Sequence, residues 1–278
     1  MNRSKSIFLT LAITLWTFIA LWALYSGINN SQWYFGLLLS SLLPTLFIGQ
    51  LFIFKTPRTS RNLNWILILV FVGFAWELNQ YILFDSSFIA LELSFVSMLC
   101  WGIYIYWYSV FPSRNSEQLT VGKHLAKLQF VGSKGEDVFN DQFEGRKLIY
   151  LFYRGNWCPL CMAQISEISE KYREINEMGA EVLLISPQPH KFTQQLAKRR
   201  NVAFQFLQDR DGEVAKQLGI FVNNGTPLGL EVLGFETDTV LPTVIITDEK
   251  GKILYSDQTD NYRVRPEPDT FLEVLRNA

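Results

Sequence analysis

The sequence predicts an α-helical bundle of four membrane spans followed by an α/β domain built around a central mixed sheet. Three observations carry that prediction. Charge is divided unevenly: up to Phe111 there are five basic residues (Arg3, Lys5, Lys55, Arg58, Arg61) and three acidic ones (Glu77, Asp85, Glu92), while the remaining 167 residues hold 20 and 23. The poorly charged half contains four apolar runs, each about the twenty residues that cross a bilayer core as a helix. The charged half alternates short apolar strands with amphipathic helical stretches, the signature of an α/β layer architecture. With 49% hydrophobic and 18% charged residues the whole chain is too apolar for one ordinary soluble domain. The expected division is therefore 1–112 for the membrane part and 113–278 for the second domain, with the composition changing near Ser113.

The apolar runs are 7–25, 33–54, 63–84 and 88–111. The first is longer than the hydrophobic core of a signal peptide and lacks a small-residue cleavage site, so it reads as a span. Trp16, Trp22, Trp33, Trp65, Trp101 and Trp107 fall mostly toward run ends and are expected to anchor at the headgroup level. Lys and Arg precede the first run and fill the link between the second and third, whereas the other links have none, which places both termini in the cytoplasm. Glu77, Asn79, Gln80 and Glu92 interrupt the third and fourth runs. Such groups are costly against lipid, so they are expected to face the bundle interior, as hydrogen-bonding links between helices or as a polar ligand site. A net charge of −1 with no basic cluster excludes a nucleic-acid partner.

In the second half, "KLIYLFY" (147–153) reads as a buried strand, and Ile165, Ile168, Tyr172 and Ile175 place a helix from Cys161 to Gly179. Further strands follow at "AEVLLIS" and "AFQFLQD", with helices at 190–200 and in "DGEVAKQLG". "TVIITDE" and "KILYSDQ" make a hairpin turning at Lys250-Gly251, and 268–276 a last helix. The stretch 223–238 has no period and reads as a loop.

Between the first of these strands and its helix lies "FYRGNWCPLC", with Cys158 and Cys161 separated by two residues and Pro159 stiffening the turn. A cysteine at the start of a helix meets free N–H groups and the positive end of the dipole, which favour a thiolate. The spacing lets the second sulfur close a disulfide on the first. A second Cys-x-x-Cys is absent and only two histidines occur, His124 and His190, so thiol redox chemistry is expected, with no metal and no cofactor. Arg154 can lower a thiolate pKa or stand as a solvated arginine on the loop, and Trp157 is expected to shield the pair. Cys100, in the fourth run, packs as a small hydrophobe.

The motif resembles the peroxiredoxin-like branch of the thioredoxin superfamily, the alkyl hydroperoxide reductase and thiol-specific antioxidant group. The similarity runs in order from "LTVGKHLAKLQF" through "LQDRDGEVAKQLGIF" and "LPTVIITDEKGKILYSDQTDNYRV" to the C-terminal helix. It implies a thioredoxin-like fold and a thiol oxidoreductase that reduces peroxides or protein disulfides and is reset by a thioredoxin or glutathione system, which the apolar runs would anchor to a membrane. It implies a cis-Pro242 facing the cysteines, with Thr243 beside it, and an arginine among Arg263 and Arg265 near the sulfurs. The thioredoxin pattern makes Cys158 the attacking thiol and Cys161 the resolving one. The peroxiredoxin pattern puts Cys161 at the peroxidatic place and Cys158 where a Thr or Ser normally stands. An alternative is an electron conduit linking a membrane quinone or partner protein to the redox domain, although residues 1–111 offer Cys100 alone. The apolar runs and the placement of Lys and Arg predict an integral protein, of a bacterial plasma membrane, with its redox domain in the cytoplasm.

Overall fold

The computed structural model describes every residue except Met1, Ser31, Gln32, Trp33, Pro112, Ser113, Asn115 and Asn201. The chain forms two compact units. One holds Ile7–Phe54 and Thr59–Val110; the other holds Phe111–Ala278 together with the N-terminal stretch up to Ser6 and Lys55–Arg58. The expected boundary at 112/113 and the anchor Trp33 lie outside the described residues.

The first unit is built on α1 (Asn2–Asn30), α2 (Phe35–Ile53), α3 (Asn64–Phe84) and α4 (Phe88–Ile103), and α4 runs on into a π-turn at Tyr104–Tyr108. Each has the length and apolarity to cross a membrane. Phe18, Ile28, Ile53 and Trp65 are exposed. Helices α2 and α3 cross at Gly36 and Gly73, so closely that a Cβ on Gly36 would lie 2.2 Å from the Gly73 carbonyl oxygen. Small residues permit such backbone approach, which is how helices pack where no hydrophobic force separates protein from lipid. Replacing Gly36 by alanine is expected to cost about 1–3 kcal/mol by overpacking, read as a lower unfolding temperature of the detergent-solubilised chain.

Two expectations for this unit are corrected. Trp16 and Trp101 are fully buried, and Trp101 packs its ring against Trp16, Phe47 and Tyr104 with centroids 5.2–5.6 Å apart, so they form the bundle core and not an interfacial belt. Of the polar interruptions only Glu77 is enclosed, its Oε1 accepting from the free Leu37 N–H in the first turn of α2 at 3.0 Å. The interhelical hydrogen-bonding reading therefore holds for Glu77. Asn79 and Glu92 are exposed and Gln80 half-buried; Asn79 and Glu92 sit near the joined ends of α3 and α4.

The second unit is a seven-stranded mixed sheet. Its strands are β1 (Gln129–Gly132), β2 (Asp137–Phe139), β3 (Lys147–Phe152), β4 (Ala180–Ser186), β5 (Gln205–Gln208), β8 (Thr243–Thr247) and β9 (Ile253–Asp257), in the order β2-β1-β5-β4-β3-β8-β9. Strands β3, β4 and β5 run parallel; β8 lies antiparallel to β3, opposing Thr243 to Phe152. Five of the six residues of β3 are buried, as a strand covered on both faces requires. The helices are α5 (Pro159–Glu170), α6 (Tyr172–Glu177), α7 (His190–Arg199), α8 (Glu213–Gln217) and α9 (Pro268–Arg276). The single helix expected from Cys161 to Gly179 is divided at Lys171, whose N–H bonds back three residues to Ile168 instead of four. The stretch read as a loop carries a short 3-10 turn at Leu230–Leu233, and its ends form a small ladder, β6 (Phe221–Val222) with β7 (Thr239–Val240). The Leu241–Pro242 peptide is trans, against the implied cis-proline. Leu241 N–H already bonds to Ile220 and Pro242 leads straight into β8, a strand start that an extended trans link satisfies.

Candidate active site

β3 is the central apolar strand, and the chain leaving it turns at Gly155 to begin α5. Cys158 is the N-cap of that helix and Pro159 its first residue, where a missing N–H costs nothing. The Cys158 sulfur accepts from the Cys161 N–H at 3.4 Å. One helical turn brings the Cys161 sulfur back to 2.7 Å from it, in direct sulfur–sulfur contact, both as free thiols and with 1% and 0% of each residue exposed.

Arg265 faces the pair: its Nη2 lies 3.4 Å from the Cys161 sulfur and 3.9 Å from that of Cys158. The rest of its guanidinium is tied down, Nη1 donating to Gln164 Oε1 at 2.8 Å and Nε to the Tyr262 carbonyl at 3.1 Å. Burial is the largest influence on both sulfurs and raises both. For Cys161 it is outweighed by the hydrogen bond with Cys158, the Arg265 charge and the Arg154 main chain, which bring its thiol well below the ordinary value. Cys158 is pushed up, first by that burial and then by the neighbouring Cys161 sulfur, against the opposing charges of Arg265 and Arg154.

Of the expected supporting residues, Arg154 stacks over the Trp157 ring at 4.7 Å and donates to the Gly225 carbonyl; its charge acts on Cys158 and its main chain bonds to Cys161. Trp157 is half-buried beside the turn. Thr243 is buried at the start of β8, but its hydroxyl donates to Leu241 and accepts from Arg114, away from the sulfurs. Pro242, Thr243, Gln164, Val264 and Arg265 line a cleft of about 10 Å³, room for one water-sized molecule beside the arginine.

Three residues escape sequence reading. Gln164 stands one turn after Cys161, so its spacing alone places it on the same helix face. Gln188, after β4, accepts from the Asn156 N–H at 2.8 Å and donates to the Tyr153 hydroxyl at 3.0 Å, fixing the turn before Cys158. Arg114 donates to the Pro242 and Thr259 carbonyls. Neither Gln188 nor Arg114 belongs to a local motif, and long-range pairing alone reveals them.

A reactive dithiol at the strand-to-helix turn of a mixed sheet, with an arginine over its sulfurs, defines a thiol oxidoreductase. Residues 121–256, just under half of the chain, match the AhpC/TSA family model. The chain is 23% identical over 159 residues to the putative peroxiredoxin bcp of Haemophilus influenzae, covering 57% of this chain and 97% of that protein. It is also 23% identical over 158 residues to peroxiredoxin Bcp of Escherichia coli strain K12, covering 57% and 96%. The thiol-disulfide oxidoreductase ResA of Bacillus thuringiensis subsp. konkukian matches at 22% over 139 residues, 50% of this chain and 69% of that one. Among solved structures, peroxidoxin BcpB from Mycobacterium tuberculosis aligns with a TM-score of 0.49 and 20% identity over 57% of this chain and 97% of that one.

Proposed function

We propose that the protein is a membrane-anchored peroxidase in which Cys161 attacks and Cys158 resolves. The observation that carries this reading is the placement of Arg265, closer to Cys161 than to Cys158, over sulfurs that are almost wholly buried. Burial favours a substrate the size of a hydroperoxide over a protein disulfide. The Cys161 thiolate attacks the distal peroxide oxygen, the O–O bond breaks, and the departing alkoxide or hydroxide takes a proton, leaving Cys161 sulfenic acid. The Cys158 thiol then attacks that sulfur, forming the Cys158–Cys161 disulfide and releasing water. Two thiols of a thioredoxin or glutathione system return the dithiol and are themselves oxidised to a disulfide. Arg265 acts as a fixed positive charge and donor, holding the thiolate and the developing oxygen charge.

In this reading the four apolar helices anchor the chain in a bilayer with the redox domain in the cytoplasm, supported by their length and apolarity and by the Lys and Arg of their links. There reducing conditions return the disulfide to the dithiol. A second reading has one observation behind it: the Cys161 N–H donates to the Cys158 sulfur, as suits a thioredoxin-like nucleophile at Cys158 that reduces protein disulfides. Stopped-flow mixing of the reduced full chain in detergent with hydrogen peroxide, and separately with a protein disulfide, separates the two, followed by the change in tryptophan fluorescence. The peroxidase reading expects a fast phase with peroxide and a slow one with disulfide; the reverse order supports disulfide exchange through Cys158.

A further inference from the structure

Arg58 stands in the link between α2 and α3, outside the residues 121–256 that match the family, yet it packs within the redox unit. Its guanidinium is almost fully used. Nη1 donates to Glu167 Oε1 at 3.0 Å and Nη2 to Glu167 Oε2, a bidentate pairing. Nε donates to the Arg265 carbonyl at 3.2 Å and Nη2 to the Pro266 carbonyl at 3.3 Å. Glu267 adds a second carboxylate at 3.7 Å from Nη1. Both members of the Arg58–Glu167 pair are sheltered, with side-chain exposures of 24% and 29%, so the pair is less screened than an open surface bridge.

The partners of Arg58 identify its role. Glu167 lies on α5, six residues beyond Cys161, and Arg265 is the residue over the sulfurs. The chain from Tyr262 to Pro266 has no strand or helix to fix it. We propose that Arg58 is a positioning residue for the Cys158–Cys161 centre: by joining Glu167 of the cysteine-bearing helix to the main chain of Arg265 and Pro266, it sets the distance between the Arg265 guanidinium and the sulfurs. The redox centre is thus completed by a segment from the apolar half of the chain. A lysine there keeps the charge but cannot form the fork to Glu167 while reaching two carbonyls.

This inference rests on the reading of the cysteine pair as the reactive centre, but its test needs no peroxide. The pH profile of iodoacetamide alkylation at Cys161 is measured on the reduced full chain in detergent for wild type, Arg58→Ala, Arg58→Lys and Glu167→Gln. Arg58→Ala is expected to move the midpoint upward by about 0.5–1 pH unit and to slow alkylation at pH 6 by roughly three- to tenfold, because a looser Arg265 stabilises the thiolate less. Arg58→Lys is expected to recover part of the shift, and Glu167→Gln to move it the same way by less. A profile of Arg58→Ala within about 0.2 unit of wild type, with a wild-type circular dichroism spectrum, overturns the proposal. Should Arg58→Ala fail to fold, an unmoved profile in Glu167→Gln overturns it instead. A shifted profile in a chain that does not reduce peroxide sinks the peroxidase reading and leaves Arg58 in its role.

Discussion

Arg265→Met is expected to move the alkylation midpoint of Cys161 upward by about 1–3 pH units and to slow its reaction with peroxide at pH 7 by roughly tenfold to a thousandfold. Methionine keeps much of the volume of the buried side chain, so the change removes the charge with little loss of packing. The sign follows from the opposing influences on Cys161. Burial alone raises a thiol, and the Arg265 charge is among the interactions that reverse it. With that charge gone burial dominates, the protonated form persists to higher pH, and the nucleophile is depleted at neutrality. Wild type therefore reacts at nearly constant rate down through the ordinary thiol range and loses activity only in acid, whereas Arg265→Met gains activity as pH rises through that range. A variant profile equal to wild type would show that Arg265 does not hold the thiolate.

The second large effect separates the two cysteines. Cys161→Ser is expected to abolish the fast peroxide phase, since a serine hydroxyl is not ionised at neutral pH and cannot replace the thiolate. Cys158→Ser is expected to keep that phase, within about tenfold because a serine hydroxyl takes the place of the S–H donor, but to stop after one turnover with Cys161 held as sulfenic acid. A dimedone adduct on Cys161 in Cys158→Ser reports that state by mass. Loss of the fast phase in Cys158→Ser, with retention in Cys161→Ser, would reverse the roles and favour the thioredoxin-like reading.

How far these assignments could be read from sequence depends on range. The cysteine pair, its strand and the helix start are local: an apolar run, a Cys-x-x-Cys and a proline at the first helical position are all contained in residues 147–161. The hairpin was equally legible from Lys250-Gly251, where Gly251 adopts a positive φ of 77°. Arg265 emerged only as one of two arginines, because the choice between it and Arg263 depends on a contact spanning more than a hundred residues. Arg58 and Gln188 belong to no pattern. In the apolar half, composition identified the helices but not their faces. Trp16 and Trp101 read as anchors because tryptophan favours interfaces, yet the bundle uses them as core, and Trp16 donates its indole N–H to the Ser97 carbonyl at 3.2 Å.

The central claim is that the negative charge rests on Cys161 and not on Cys158. Limited alkylation of the reduced wild-type chain at pH 6 with less than one equivalent of iodoacetamide, followed by fragment-ion localisation in the peptide carrying both cysteines, tests it most directly. The account predicts the label on Cys161. A label confined to Cys158 would contradict it and make the first cysteine of the motif the nucleophile.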